Sequence, residues 1–549
     1  MTSTPATSAV QTRWVDMLVA TLADAGVTAC VVSPGSRSTP LVAALAKSGR
    51  LELPTIIDER AAAFYALGRA RASQRPVCLV CTSGSAAAHY LPAIVEASAA
   101  GVPLIAITAD RPPELQHCGA AQTIDQVDLY GRFVRAAFDL GRPSEAIAAV
   151  RRTIAQAVTT SLGPLPGPVH INVPLVKPLE PVGVDAPAPA PLVIAPPRLT
   201  ADRAAVARLY AAIAGEPHGI VIAGAGCCDP RILALCARAG YPLLAEAGSG
   251  LRFAARPGVT TVDHFDFALA HAPPPKLILQ LGAAPVAASW AGYAQAERWV
   301  LADRYRDPEG GAHVITGEVE IDRDLAVPAR GDSEFTRAWR EAEARAAAAV
   351  EHALVEHSTS EAAAVKAAVA AWPGALQLGN SLPIRVIDHV ATGGARVVLT
   401  QRGAAGIDGL IASATGAAAV APTLLVLGDV SFAHDLGGLL VARGARHALA
   451  ILVIDNGGGQ IFGGLPIARS IDPALFERHF VTAPDVDVVA VASALGVRAI
   501  AATSPQAVAR AVATAFADAG PTVIHAPVAP TGARDFRTCV LDRLGAHHD

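Results

Sequence analysis

Short apolar runs alternate with stretches of helical spacing along almost the whole chain. In the first third the runs fall at residues 29–32, 54–57, 77–81, 103–108 and 168–173, with helical patterns at 39–47, 60–72 and 85–99 between them. Runs of four to six consecutive apolar residues suit strands buried on both faces, which is the signature of a parallel sheet. Strands that alternate with helices predict βαβ units. The rhythm restarts at residues 219–223 and continues near 242–245, 276–281 and 298–303. It returns a third time at 396–400, 422–427, 448–455, 497–501 and 522–526. Between the first and second series, residues 178–197 are dense in Pro and Ala, as a semi-rigid linker would be. Residues 333–372 are Ala-rich with charges at helical spacing and predict a connecting helix. The expected fold is α/β, with three doubly wound domains of mostly parallel sheets. The boundaries expected are 1–178, a linker at 179–198, a central domain at 199–345 and a last domain at 346–549.

Composition narrows the class. At 549 residues the chain exceeds what one core serves, and 52% apolar with 17% charged residues is a soluble globular balance. A net charge of -4 without a Lys/Arg block argues against a nucleic-acid partner. Residues 2–12 are polar and lack the apolar core of a signal peptide. The apolar stretch at 86–109 is broken by Pro92, Glu96 and Pro103, so it reads as helix, turn and strand rather than a membrane span. A cytoplasmic protein without membrane insertion is expected. Cys78 and Cys81 form a CxxC inside an apolar strand with no second pair, which predicts buried thiols rather than zinc. Arg far outnumbers Lys, which favours bidentate grip on carboxylates.

Polar residues gather where the strands should end. Gly428-Asp429-Val430-Ser431 and Asp455-Asn456-Gly457-Gly458-Gly459 each close an apolar run, with Asn456 twenty-seven positions after Asp429. Ligands of open α/β sheets bind beyond such tips. Carboxylate, carboxamide and glycine carbonyl are hard oxygen donors of the kind Mg²⁺ takes while it holds a phosphate. In the first segment four turns share one sheet edge: Ser33-Pro34-Gly35-Ser36-Arg37, Asp58-Glu59-Arg60, Thr82-Ser83-Gly84-Ser85 and Thr108-Ala109-Asp110-Arg111. Gly224-Ala225-Gly226 has Asp229 in place of a third glycine and predicts a turn, not a dinucleotide loop.

The segments SPGSRSTPL, DERAAAFYALG, TSGSAAAHYLPAIVEA, TADRPPEL and GAAQTIDQ carry a resemblance. So do Gly379-Asn380-Ser381, the run Gln401 to Gly409, and the Asp429/Asn456 pair. Together they resemble the menaquinone-pathway 2-succinyl-5-enolpyruvyl-6-hydroxy-3-cyclohexene-1-carboxylate synthases, a branch of the thiamine diphosphate enzymes. The resemblance covers the first and third segments and implies pyrimidine-binding, central and diphosphate-binding domains. It implies that Glu59 hydrogen-bonds the aminopyrimidine ring of thiamine diphosphate and is the catalytic residue. Cofactor contacts would come from Glu59, Gly84, Ile407, Gly428, Asp429, Ser431, Asn456, Gly458 and Ile461. Asp429, Asn456 and Gly458 would hold Mg²⁺ or Mn²⁺. The implied substrates are 2-oxoglutarate and isochorismate, bound by Ser36, Arg37, Arg111, Gln122, Ser381, Arg385, Arg402, Phe462 and Leu465. The family assembles its site across subunits, so a homodimer or homotetramer is expected.

Two departures bear on the acceptor. Ala121 stands where some members carry Asn, and Ala288 and Ser289 stand where a basic residue is usual. A related carboligase that takes 2-oxoglutarate with a different acceptor is therefore the second reading. A non-catalytic cofactor-binding paralogue is the third, against which Glu59 and the Asp429/Asn456 pair both speak. A Rossmann oxidoreductase lacks its fingerprint here.

Overall fold

The computed structural model describes residues 5–184, 190–227, 229–287, 289–293, 295–319, 327–394 and 396–545. Among them sixteen strands form three sheets, and every neighbouring pair is parallel. The first sheet holds β1 (Ala29–Val32), β2 (Val77–Cys81), β3 (Leu104–Asp110), β4 (Ala137–Asp139) and β5 (Val169–Pro174), in the order β1-β2-β3-β5-β4. The second holds β6 (Gly219–Ala223), β7 (Leu243–Ala245), β8 (Leu277–Leu281), β9 (Glu297–Ala302) and β10 (His313–Thr316), ordered β10-β9-β8-β6-β7. The third holds β11 (Ala375–Leu378), β12 (Val398–Thr400), β13 (Thr423–Gly428), β14 (Leu449–Asp455), β15 (Arg498–Ala501) and β16 (Pro521–Pro527), ordered β12-β11-β13-β14-β16-β15. Among the described residues no helix is long and apolar enough to cross a membrane.

Several local expectations need correction. Residues 54–57 form no strand: Thr55 makes only an isolated bridge to Val32, Pro54 has no N–H to donate, and Ile57 points into solvent. The helix expected at 85–99 is two, Ser85–Ala88 and Leu91–Ala100, the second with Pro92 in its first turn. The connecting helix is also two, Glu334–Glu356 and Glu361–Ala371, because Ser360 caps the second by accepting from the Ala363 N–H. The Gly224 turn packs against the Ala283 backbone, as a turn should. Cys78 and Cys81 are buried, unpaired thiols. Of the loop that carries the missing basic residue, Ala288 lies outside the described residues, as do residues 185–189 of the expected linker.

Packing groups the chain into two compact units. The first comprises residues up to Arg198 together with Gln401–Ala421 and Asp435–His447. Alternate residues of its strands feed two cores, one on each face of the sheet: Cys78 and Val80 join Trp14 and Leu18, whereas Val77 and Leu79 join Phe64 and Tyr90. Within this unit the helix Leu410–Ala418 lies along the helix Glu59–Ser73 at backbone contact. Gly68 faces the Ser413 carbonyl and Gly416 faces the Tyr65 carbonyl, and a Cβ at either position would collide with backbone. Asp435 accepts from the Ile411 and Ala412 N–H groups at 2.8 and 3.1 Å and so closes the start of the Leu410 helix.

The second unit comprises Leu199–Thr400, Pro422–His434 and the residues from Ala448 onward. One apolar core runs from Ile220 and Ile278 through Trp339, Val365 and Trp372 to Leu424 and Leu452, so the second and third sheets share it. Arg252 is fully buried and donates to the carbonyls of Ala245, Asp388 and Ala391 at 2.7–2.8 Å. This ties the helix Leu382–Val390, which carries Arg385, to the end of β7.

Candidate functional site

In the third sheet the chain leaves β11 for β12 on one side, then crosses to β13 on the other. Such a reversal opens a crevice beyond the strand ends. Asn380 and Ser381 follow β11, Gly428 ends β13, and Asp455 ends β14 immediately before Asn456. Asp429 Oδ1 accepts from the Val430 N–H at 2.8 Å, and Oδ2 accepts from the Gly458 N–H at 2.7 Å. Gly458 sits at φ +117° with the Val481 carbonyl where a side chain would begin, so only glycine fits. Its carbonyl accepts once, from the Gln460 N–H at 2.8 Å, and keeps a second lone pair. Ser431 is buried in the short helix Asp429–His434.

Asn456 is 6% exposed and its Nδ2 donates to Glu361 Oε1, yet its Oδ1 is buried without a partner. Leaving a buried amide oxygen unsatisfied costs about 1–3 kcal/mol, so this atom is waiting for a ligand. Burial pushes Asp429 up to about 6, and the neighbouring Asp455 adds to the shift. Burial, followed by the charge of Asp429, pushes Glu361 up to about 7. Asp455 is held below the usual carboxylate range by the 2.8 Å hydrogen bond with His525 Nε2. Asp429, with Asp455 and Glu361 near enough to shift or share its charge, and the unpartnered amide oxygen of Asn456 supply hard-oxygen donors that suit a divalent cation. The donors expected from sequence, Asp429, Asn456 and Gly458, fit that role.

The same crevice edge carries apolar surface. Residues Gln460–Gly464 form a 3₁₀ turn in which Ile461 is half-buried, while Phe462 and Leu465 stand 37% and 47% exposed. On the β11 side, Ser381 adopts φ +69°, and Arg385 Nη1 reaches back one helical turn to the Ser381 carbonyl at 2.7 Å.

In the first unit the turns after β1, β2 and β3 interlock. Thr82 Oγ1 accepts from the Arg37 N–H at 3.2 Å, and the Arg37 guanidinium donates to the Leu175 carbonyl at 2.9 Å. Arg111 Nη1 donates to Ser83 Oγ, and Gln122 Nε2 donates to the Ser83 carbonyl at 3.1 Å. Gly84, at φ +90°, lies against the Gln122 side chain. Burial and then the charge of Arg111 lower the Arg37 pKa. The Asp110 carboxylate offsets part of this charge at both guanidinium groups, which leaves the turns net positive and suited to an anion. Ser36 is exposed on the same turn as Arg37. Glu59 opens its helix behind the N-cap Asp58, close enough to Cys81 to add to the upward shift that burial imposes on that thiol.

Arg402 and Ile407 belong to a loop held by the buried Glu96 carboxylate, which accepts from Gly403 N–H at 3.0 Å and Ala404 N–H at 2.6 Å. Thus Arg37, Gly84, Arg111 and Gln122 come together in the first unit, and Asp429, Asn456 and Gly458 in the second. Sequence reasoning missed Glu96, Gln126 and Glu361. Gln126 Oε1 accepts from the Gly84 N–H at 2.9 Å, while Nε2 donates to Asn172 Oδ1 and the Ala109 carbonyl, both at 3.2 Å. Its position four residues after Gln122 was the signal available. Three non-glycine residues of these loops, Gln122, Ser381 and Ala405, lie in the left-handed region, where strain gathers at functional sites.

Known proteins resemble this chain in sequence and in fold. Residues 12–129 match the thiamine pyrophosphate enzyme N-terminal TPP binding domain, and residues 385–526 match the C-terminal TPP binding domain. Benzoylformate decarboxylase from Polynucleobacter necessarius has the same fold, with a TM-score of 0.74 over 94% of this chain and 98% of that one, at 15% identity. The 2-succinyl-5-enolpyruvyl-6-hydroxy-3-cyclohexene-1-carboxylate synthase of Sorangium cellulosum is 41% identical, over 95% of this chain and 94% of its own length. The enzymes of the same name from Geobacillus thermodenitrificans (39%, covering 85% and 84%) and Halobacterium salinarum (37%, covering 87% and 88%) extend the likeness across distant organisms. Identity at this level over nearly the full length shows that the chain belongs to the 2-succinyl-5-enolpyruvyl-6-hydroxy-3-cyclohexene-1-carboxylate synthase family of thiamine pyrophosphate enzymes.

Proposed function

We propose that this chain decarboxylates 2-oxoglutarate and adds the remaining four-carbon unit to isochorismate, giving 2-succinyl-5-enolpyruvyl-6-hydroxy-3-cyclohexene-1-carboxylate and CO₂. Family membership over 95% of the chain carries the reading. When bound, thiamine diphosphate supplies the electron sink for decarboxylation and carbon–carbon bond formation. Asp429, the Asn456 carboxamide oxygen and the Gly458 carbonyl would hold Mg²⁺ or Mn²⁺ for its diphosphate, and the unpartnered Asn456 Oδ1 supports that assignment. Gly428 and Ser431 lie at the same strand tip, and Ile407 and Ile461 would offer apolar contact to the cofactor. Glu59 presents its carboxylate to the aminopyrimidine, where it holds the proton that activates the cofactor. Arg385 and Ser381 grip the distal carboxylate of 2-oxoglutarate. Arg37, Arg111 and Arg402, with Ser36 and Gln122, serve the carboxylates of the acceptor, and Phe462 and Leu465 exclude water from one wall. The working form is a homodimer or a pair of dimers, in which Glu59 of one chain serves the cofactor on its partner's Asp429.

The test is product analysis. Incubation with 2-oxoglutarate, isochorismate, Mg²⁺ and thiamine diphosphate should give the adduct by mass with one CO₂ per turnover. Glu59→Gln should abolish both while the folded chain keeps its metal affinity. Release of CO₂ with isochorismate left unconsumed would reject the acceptor and leave the decarboxylation.

A further inference from the structure

Glu361 has no place in the reading above, yet it is among the most buried carboxyl groups of the second unit, 1% exposed. It enters from the first turn of the helix Glu361–Ala371, a helix set by the Ser360 cap and otherwise made of Ala, Val and one Lys. A carboxyl group in such a place is costly unless something requires it. The partner it meets is the Asn456 carboxamide, whose Nδ2 donates to Glu361 Oε1.

A carboxamide has two faces of opposite use. Turned one way Asn456 offers a cation its oxygen; flipped, it offers two N–H groups that repel it. The hydrogen bond to Glu361 consumes the N–H side and leaves Oδ1 as the unpartnered atom, and Glu361 itself feels the charge of Asp429. Flipping would set Oδ1 against the Glu361 oxygen, acceptor against acceptor, in a buried place. We propose that Glu361 is a positioning residue for the cation: it fixes the rotamer of Asn456 so that the carboxamide oxygen faces the metal. This rests on the reading of Asp429 and Asn456 as metal ligands. It is the role that carboxylates play behind metal-bound histidines, transferred to an amide. It also explains why a buried acid is kept at the head of an alanine helix.

The experiment reads metal affinity, not turnover. Mn²⁺ binding to the full chain with saturating thiamine diphosphate is followed by electron paramagnetic resonance, beside far-ultraviolet circular dichroism. Glu361→Met keeps the volume and removes the acceptor; it should weaken Mn²⁺ binding by about 10- to 100-fold. Glu361→Gln keeps an oxygen that can accept from Asn456 Nδ2, so its affinity should stay within about threefold of the parent. Equal losses in the two variants would show that the charge, not the acceptor, matters, and would overturn the proposal. So would parent-like affinity in Glu361→Met. If Glu361→Met does not fold, Glu361→Gln alone decides: a tenfold loss overturns the orientation role and retained affinity upholds it. Asp429→Ala serves as the control. Unchanged Mn²⁺ affinity in that variant would show that the cation lies elsewhere, which is a failure of the site assignment rather than of Glu361.

Discussion

Gly416→Ala sets two well-understood effects against each other. Gly416 is inside the helix Leu410–Ala418, where exchanging glycine for alanine ordinarily gains about 1 kcal/mol. Here the new Cβ would lie 2.8 Å from the Tyr65 carbonyl carbon and 2.9 Å from the Arg69 nitrogen, and nearer still to the Tyr65 oxygen. Ordinary contact begins near 3.4 Å. The obstructing atoms are backbone, so no rotamer change relieves them and the two helices must separate. Overpacking of this kind costs about 1–3 kcal/mol and here exceeds the propensity gain, for a net loss on the order of 1 kcal/mol or more. Because Glu59 opens the displaced helix, kcat should fall with it. Gly215→Ala is the control: Gly215 ends the helix Arg203–Gly215, and no atom lies within 4 Å of its added Cβ. That variant should be neutral or gain up to about 0.5 kcal/mol. Thermal unfolding midpoints under identical conditions compare the three proteins. A Gly416→Ala midpoint at or above the parent's, with Gly215→Ala behaving as stated, would refute the close approach.

Arg385→Ala should raise the 2-oxoglutarate KM by the loss of one charge-assisted contact, about 1.5–3 kcal/mol, whereas Arg111→Ala should spare the first decarboxylation and slow consumption of isochorismate; rapid kinetics of the two steps separates them. Mixed Glu59→Gln and Asp429→Ala chains should recover part of the parent activity once subunits exchange, and no recovery after confirmed exchange would place both residues in one chain's site. His170 is buried, and burial lowers its pKa to about 4 from an ordinary 6.5. Between those values the unfolded chain binds a proton that the native chain refuses, so this group's contribution to stability shrinks as pH falls from about 6.5 to 4, by about 3 kcal/mol in all. His170→Gln should lose less stability than the parent between pH 7 and pH 4.5 in denaturant titrations, and equal losses would contradict the assignment.

The three parallel sheets were legible because their central strands are buried on both faces and read as unbroken apolar runs. Strands β4 and β10 escaped notice because they are edge strands with mostly exposed or half-exposed residues, and β11 because the buried Gln377 interrupts its apolar run. Asp429, Asn456 and Gly458 could be picked out since donor type and strand-tip position are both written locally. Glu361 could not, because its hydrogen bond to Asn456 spans 95 positions and an acid opening an alanine helix is the commonest of dipole partners. Arg37 and Arg111 were visible as turn residues. That they repel each other, with Asp110 offsetting part of the charge at both, was not, since this follows from how the Thr82 turn draws the β1 and β3 ends together.

The hold of Glu96 on Gly403 has a consequence for how the protein is made. The two residues stand 307 positions apart, so the small-residue face of the Glu59–Ser73 helix leaves the ribosome long before the helix that covers it. At about 5–20 residues per second, that interval is roughly 15 to 60 s. During it a strip bearing Phe64, Gly68 and its alanines remains open to other chains. A nascent or truncated product ending before residue 401 should therefore be sticky, and chaperones that shield apolar helices should engage it. Fragments meant to reproduce the first unit need residues 401–421 supplied as well, in the same chain or as a separate peptide.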